Sequence, residues 1–370
     1  MYGQIAGQVK AASCSNPSGT CILLPSRAIV WAVVALCMGL PWRAAAEETT
    51  DRRGELLIRG TTDRAAAADV LAGFRALNPD IAVRYAKIVS GELFDDVAKP
   101  SGAPGTTADV VWSSAMDLQI KLANDGLADA YRSPEADGLP AWAQWKDLAY
   151  GVSAEPVVIV YNKRLLRGDL VPRDHADLLR LLTEHREQFQ GRIATYDPET
   201  SGTGLLFITQ DVRITPQTWK LVAALGRAGV KLYTSSTPMI DRVVSGDFVL
   251  AYNVLGAYAL ERVKQDPDLG VVFPADYTLL LSRIALIPRA APHPAAARKF
   301  IDYLLSRDGQ ARLAARSLGA VRTDMPPEGP GGAVAATLRP IALNIDLLTY
   351  LDRSKRARFL AQWTKALQGQ

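Results

Sequence analysis

Three times in the first third of the sequence, a short apolar run gives way to a hydroxyl-rich turn or a polar break and then to amphipathic helical spacing. Glu55–Gly60 (ELLIRG) reads as a strand, and Asp63–Leu77 follows with apolar residues at Ala67, Val70, Leu71, Phe74 and Leu77. Asn78-Pro79 stops that helix, and Ile81–Tyr85 (IAVRY) alternates as a second strand. A short helix over Phe94–Ala98 and the linker KPSGAPGTT lead to the buried-type strand ADVVWSS, then to a helix from Met116 to Asn124 closed by Gly126. Strand and helix in alternation predict an α/β fold, with mostly parallel sheets covered by helices.

A second block repeats the pattern. Pro156–Asn162 (PVVIVYN) is a strand of β-branched residues, followed by a helix around Asp174–Phe189 and the strand GRIATYD. A helix after TSGTG, another from Gln217 to Ala228, and the strands VKLYTS and FVLAYN complete it. The run VVFPADYTLLLSRIALIPR reads as extended chain returning to the first block, and Pro294–Ser306 and Asp308–Arg316 as amphipathic helices. We therefore expect a discontinuous first lobe (53–155 with 270–325), a second lobe (156–269), and C-terminal helices over 333–368 packed on them. A chain of 370 residues is long enough for two such lobes.

The N-terminus reads as an export segment. Arg27, the thirteen apolar-rich residues Ala28–Leu40 and Ala44-Ala45-Ala46 before Glu47 have the three parts of a secretory signal. That apolar stretch is shorter than the ~20 residues a membrane-spanning helix needs. Residues 1–46 are accordingly set apart as leader and upstream segment, with cleavage expected near Ala46 and the true start left open downstream of Met1. Loss of Lys10, Arg27 and Arg43 takes the formal charge from +4 to about +1, which gives no electrostatic reason to expect nucleic-acid binding. Cys14, Cys21 and Cys37 all precede the cleavage point. The exported chain then has no disulfide, thiol nucleophile or thiolate metal site, and a bacterial periplasm is its expected location.

Three loops carry the candidate chemistry: RGTTDR (Arg59–Arg64), WSSAMD (Trp112–Asp117) and TSGTG (Thr200–Gly204). Each sets Ser or Thr at a predicted helix start, where free N–H groups and the helix dipole attract carboxylate or phosphate. The same residues are favoured there as simple N-caps, so each loop taken singly reads either way. No Lys follows TSGTG as a nucleotide P-loop requires, and no Gly-x-Ser-x-Gly elbow is present in it. His175, His185 and His293 are expected on solvated surface, as are Asp95 and Asp96, which leaves no catalytic triad, metal site or cofactor site in view. Tyr252 and Asn253 at the end of FVLAYN are placed to reach a polar ligand from the second lobe, with Tyr258 six residues on.

These stretches together resemble the ferric-iron-type periplasmic substrate-binding proteins of ABC transporters. The resemblance rests on ELLIRGTTDR, ADVVWSSAMDLQIKLANDGLADAY, YGVSAEPVVIVYNKRLL, QGRIATYDPETSGTG and HPAAARKFIDYLLSRDGQARLA, and covers about 55–325. It implies a two-lobed, type II binding protein, a monomer that closes on its ligand by hinge motion without covalent chemistry. Iron-binding members present two adjacent tyrosines, whereas AYNVLGAYA separates Tyr252 from Tyr258, so the chain looks nearer to members that bind phosphorylated or carboxylated organic molecules. Carried over on that basis, Thr61, Thr62, Ser113, Ser114, Ser201, Gly202 and Thr203 would surround an anionic group. Asp117 and Glu155 would take ligand hydroxyls, and Arg283 would be a charge partner. The implied role is delivery of a small organic anion to an ABC permease. The alternative is presentation of the ligand to a two-component sensor kinase.

Overall fold

The computed structural model describes residues 54–99, 108–325 and 336–369. The leader and the three cysteines lie outside the described residues.

The first sheet is built around β1 (Gly54–Gly60), with β2 (Ile81–Lys87) parallel on one side and β3 (Val110–Ser113) parallel on the other. Its remaining strands run antiparallel: β4 (Gln144–Trp145), β5 (Ala149–Gly151) and β12 (Ile284–Leu286), in the order β2-β1-β3-β12-β5-β4. Alternation in β1 sends Leu56 and Ile58 fully into the core. Helix α1 (Arg64–Leu77) covers them through Val70, Leu71 and Phe74. Phe74 meets Phe300 edge-on at 5.1 Å on α10 (Pro294–Leu305), beside α11 (Arg307–Ala315). Leu77, expected to extend this apolar face, is instead exposed at the last residue of the helix.

The second sheet has β6 (Glu155–Asn162) and β9 (Leu250–Leu255) at its centre. β7 (Ile193–Tyr196) and β8 (Lys231–Tyr233) continue parallel to β9. On the other side β11 (Thr278–Leu281) runs antiparallel to β6, and β10 (Leu269–Val272) also pairs antiparallel with it. The expected parallel strands are therefore present in both sheets, flanked by antiparallel ones where the chain crosses. β11, and β10 apart from Leu269, fall in the stretch expected with the first lobe but belong to the second sheet; the chain re-enters the first sheet at β12. Around the second sheet lie α4 (His175–Glu184), α5 (Arg186–Phe189), α6 (Gly202–Ile214), α7 (Thr218–Arg227), α8 (Ser236–Ser245) and α9 (Gly256–Val263). The first sheet is joined by α2 (Ser90–Ala98) and α3 (Met116–Asn124).

The C-terminal stretch is only partly helical. β13 (Leu338–Pro340) pairs with β11, a 3-10 turn spans Ile345–Leu351, and α12 (Arg353–Leu367) closes the described chain. Ile341 N–H donates to Leu280 O (2.9 Å) and Leu343 N–H to Trp142 O (2.8 Å), so this segment touches crossing strand and first-sheet loop alike. Phe359 and Trp363 of α12 are buried against Leu205, Ile208 and Val222 of α6 and α7. Gly226 permits that contact, since a Cβ there would lie 1.7 Å from Leu367 O.

Candidate functional site

Because β1 and β3 are parallel neighbours, the loops after them emerge side by side. Gly60 stands opposite Trp112, and an added Cβ would lie 2.8 Å from both Trp112 O and the Tyr85 hydroxyl, so the close approach needs glycine. Ser114 N–H donates to Thr61 Oγ1 (3.1 Å), and the Thr61 hydroxyl lies 3.4 Å from both Ser113 Oγ and Ser114 Oγ. Ser113 is buried and accepts from Ala115 N–H (3.1 Å), whereas Thr61 and Ser114 are half-buried. Ala115 at the cap position of α3 offers no side-chain acceptor, so the helix start carries its positive dipole end beside these hydroxyls.

Behind them is a fully buried ion pair. Arg283 Nε and Nη2 donate to the two Glu155 oxygens (2.8 and 2.9 Å), and Nη1 donates to Thr62 Oγ1 (3.2 Å). Ser153 Oγ donates to Glu155 Oε1 (2.8 Å) and accepts from Arg283 N–H (2.8 Å). Burial opposes the Arg283 charge, but Glu155 beside it more than compensates and the guanidinium pKa is raised. Arg283 and Glu155 were expected to meet a ligand; here each neutralises the other, and Thr62 is buried on the guanidinium. Tyr85 supports the same corner, its hydroxyl donating to Thr62 O (2.6 Å) with its pKa pushed up by burial to about 12. The half-buried Tyr258 ring lies 5.8 Å from the Arg283 guanidinium carbon.

The TSGTG loop divides between the two roles open to it. Ser201 is a buried N-cap: Gly204 N–H donates to its Oγ at 3.1 Å. Asp197 organises the turn, accepting from Glu199 N–H (3.0 Å) and from the Thr200 hydroxyl (2.7 Å). Gly202 is exposed and Thr203 half-buried at the first turn of α6, and neither is needed for the cap. Ser201→Ala is therefore expected to lower the stability of the empty protein by about 1 kcal/mol. Thr203→Ala is expected to leave it within about 0.5 kcal/mol. Chemical denaturation of the two variants reads the difference, and equal losses would mean that Thr203 shares the capping work.

Tyr252 and Asn253 do not face the hydroxyl loops. Tyr252 Oη (2.9 Å) and Asn253 Nδ2 (2.6 Å) donate to Asp211 Oδ2, and Tyr277 Oη (3.1 Å) donates to Oδ1. Asp211 is completely buried, and burial raises its pKa against the opposing pull of His175 and the three hydrogen bonds. His175 is not a solvated surface residue: its ring stacks on Tyr277 at 4.2 Å, and Nδ1 lies 2.8 Å from Asp276. Asp96, also expected at the surface, is largely enclosed in ion pairs with Arg59 and Lys99. Asp211 was absent from the sequence reading, although it sits three and four residues after Ile208 and Phe207 on the apolar face of its helix.

Asp117 lies in the first turn of α3 and lines a pocket of about 270 Å³ with Leu205, Leu206 and Thr209 of α6 and Asp346 and Tyr350 of the C-terminal turn. Burial raises its pKa, while the N–H groups of Leu118 and Asp117 itself, and Arg356 farther off, pull it down. Among the described residues no group of three or more His, Cys, Asp or Glu is arranged to hold a metal ion.

A family model described as bacterial extracellular solute-binding protein matches residues 69–337. A search of curated proteins gives no match. The substrate binding protein of the ABC transporter from Agrobacterium tumefaciens is 39% identical, with 86% of this chain and 96% of that one covered at a TM-score of 0.78. Iron-bound HitA from Pseudomonas aeruginosa is 19% identical (85% and 99% covered, TM-score 0.68). The periplasmic binding protein AfuA from Actinobacillus pleuropneumoniae, with exogenous fructose-6-phosphate bound, is 20% identical (85% and 99% covered, TM-score 0.67). The last two are likenesses of fold.

Proposed function

Because the chain belongs to the bacterial extracellular solute-binding protein family, we propose that it captures a small organic anion, phosphorylated or carboxylated, for an ABC permease. Membership gives the coarse role: a binding protein of ABC transport that works outside the cytoplasmic membrane and performs no covalent chemistry. The leader read in residues 1–46 would take it there, and as a monomer it would meet the permease.

The anion rests on one observation. Thr61 and Ser114, both partly accessible, set their hydroxyls beside the start of α3, where the cap residue Ala115 supplies no side-chain acceptor, while the buried Arg283 behind them is already matched by Glu155. Such a corner offers neutral donors and a helix dipole, which suit an anion that must later be released. Gly202 and Thr203 at the start of α6 offer a second set of the same kind. AfuA, whose structure holds a sugar phosphate, gives a precedent for this class in the fold. Ferric iron is the weaker reading, because the Tyr252 hydroxyl is directed to Asp211 and is not free as a phenolate ligand.

The test is thermal melting of the protein against inorganic phosphate, sugar phosphates, small carboxylates and ferric citrate. An organic anion at a hundred times its Kd should add about 2.7 kcal/mol of apparent stability. Thr203→Ala and Ser114→Ala should each weaken that anion about tenfold, the loss of one hydrogen bond to a charged group. A shift with iron alone would overturn the reading.

A further inference from the structure

The pocket lined by Asp117 of α3 and by α6 has a feature that an anion site alone does not explain. Its floor is the first turn of α3 and its wall one flank of α6. Its third side comes from Asp346, Leu347, Thr349 and Tyr350, in the C-terminal segment to which the sequence assigned no role. Two acids face it. Asp346 is paired with Arg213 at 2.8 Å. Asp117 has no cation within ion-pair distance among the described residues; burial raises its pKa, and the N–H groups of Leu118 and Asp117 itself, with Arg356 farther off, pull it down. Arg356, the nearest candidate on α12, instead donates to Glu199 O at 3.1 Å.

A half-buried carboxylate without a counter-ion is costly, and the cost is relieved by a cation more than by a neutral donor. The pocket also lies next to the proposed anion donors in the chain: Asp117 is three residues after Ser114, and Leu205 two after Thr203. We propose that this pocket receives a protonated amino group of the ligand on Asp117, so that the solute carried is an amino-substituted small anion. This inference rests on the anion reading above and narrows it. Burial raises the Asp117 pKa, and a bound ammonium would pull it back down.

Matched probes test it: ethanolamine phosphate against ethyl phosphate, and 5-aminovalerate against valerate, by calorimetry on the wild type and on Asp117→Asn. The amino member of at least one pair should bind the wild type at least tenfold more tightly than its partner. Asp117→Asn should remove that preference, so that the two members of each pair bind the variant with nearly equal affinity, and its melting curve without ligand checks that it is folded. Equal affinity within both pairs, or a preference that survives Asp117→Asn, overturns the inference and leaves the anion reading standing. If no anion of any class in the melting series binds, the anion reading fails and takes this inference with it.

Discussion

Arg283→Met is expected to lower stability by about 3–5 kcal/mol, the cost of leaving the completely buried Glu155 carboxylate without its partner. Two guanidinium bonds to Glu155 are lost together with the one to Thr62. Among the described residues Ser153 then remains as the one side-chain donor to Glu155, and one hydroxyl cannot replace a cation. Glu155→Gln should cost a comparable amount: the amide oxygen still accepts from one guanidinium N–H, but the amide NH₂ meets the other and the completely buried charge on Arg283 goes unmatched. The double variant Arg283→Met with Glu155→Leu should recover much of the loss, because removing both charges also removes their desolvation cost. Urea denaturation of the three variants checks this, and a double variant no better than Arg283→Met would mean that the pair is needed for shape and not for charge. Binding should respond as well. Arg283 holds the Thr62 hydroxyl behind Thr61, and the loop between β1 and α1 is fixed at that point.

Position in the chain explains which parts of this arrangement were legible. Strand and helix runs are written in local periodicity, so β1, α1, β3, α3, β6 and β9 could be read from the sequence. The loops at their ends followed from the rule that helices start where strands of an α/β sheet finish. Partnership across the fold was not legible. Arg283 and Glu155 are 128 residues apart, and nothing local tells a buried ion pair from two ligand-facing charges. Tyr252 and Asn253 were expected at a strand end, but β9 runs on to Leu255 and directs them to Asp211 of α6. His175 looked solvated because its sequence neighbours are polar, whereas Tyr277, which covers it, arrives from 102 positions later by subtraction of their numbers. Asp211 was the one miss with a local signal. An acid in register with Phe207 and Ile208 on an otherwise apolar helix face must be buried, and a buried acid must have donors.

That acid carries the other large expected effect. Asp211→Leu keeps the branched shape, with bulkier methyl groups in place of the oxygens, and leaves the donors of Tyr252, Asn253 and Tyr277 without an acceptor in the core. Unsatisfied buried donors cost about 1–3 kcal/mol each and do not add fully, so a loss on the order of 4 kcal/mol is expected. Asp211→Asn should lose less, because its amide oxygen still accepts, although its NH₂ meets the Asn253 donor or a tyrosine hydroxyl. The two variants also separate charge from hydrogen bonding through pH. Burial raises the Asp211 pKa above its unfolded value, so the folded state holds this proton more tightly than the unfolded chain. Its contribution is then complete below the ordinary carboxylate pKa of about 4 and is lost as pH rises through the raised folded value. Asn cannot titrate. The stability of the wild type relative to Asp211→Asn should therefore fall from about pH 4 towards neutrality, as measured by urea denaturation at steps across that range. A difference that stays constant with pH would show that Asp211 remains ionised throughout, with its three donors outweighing the burial.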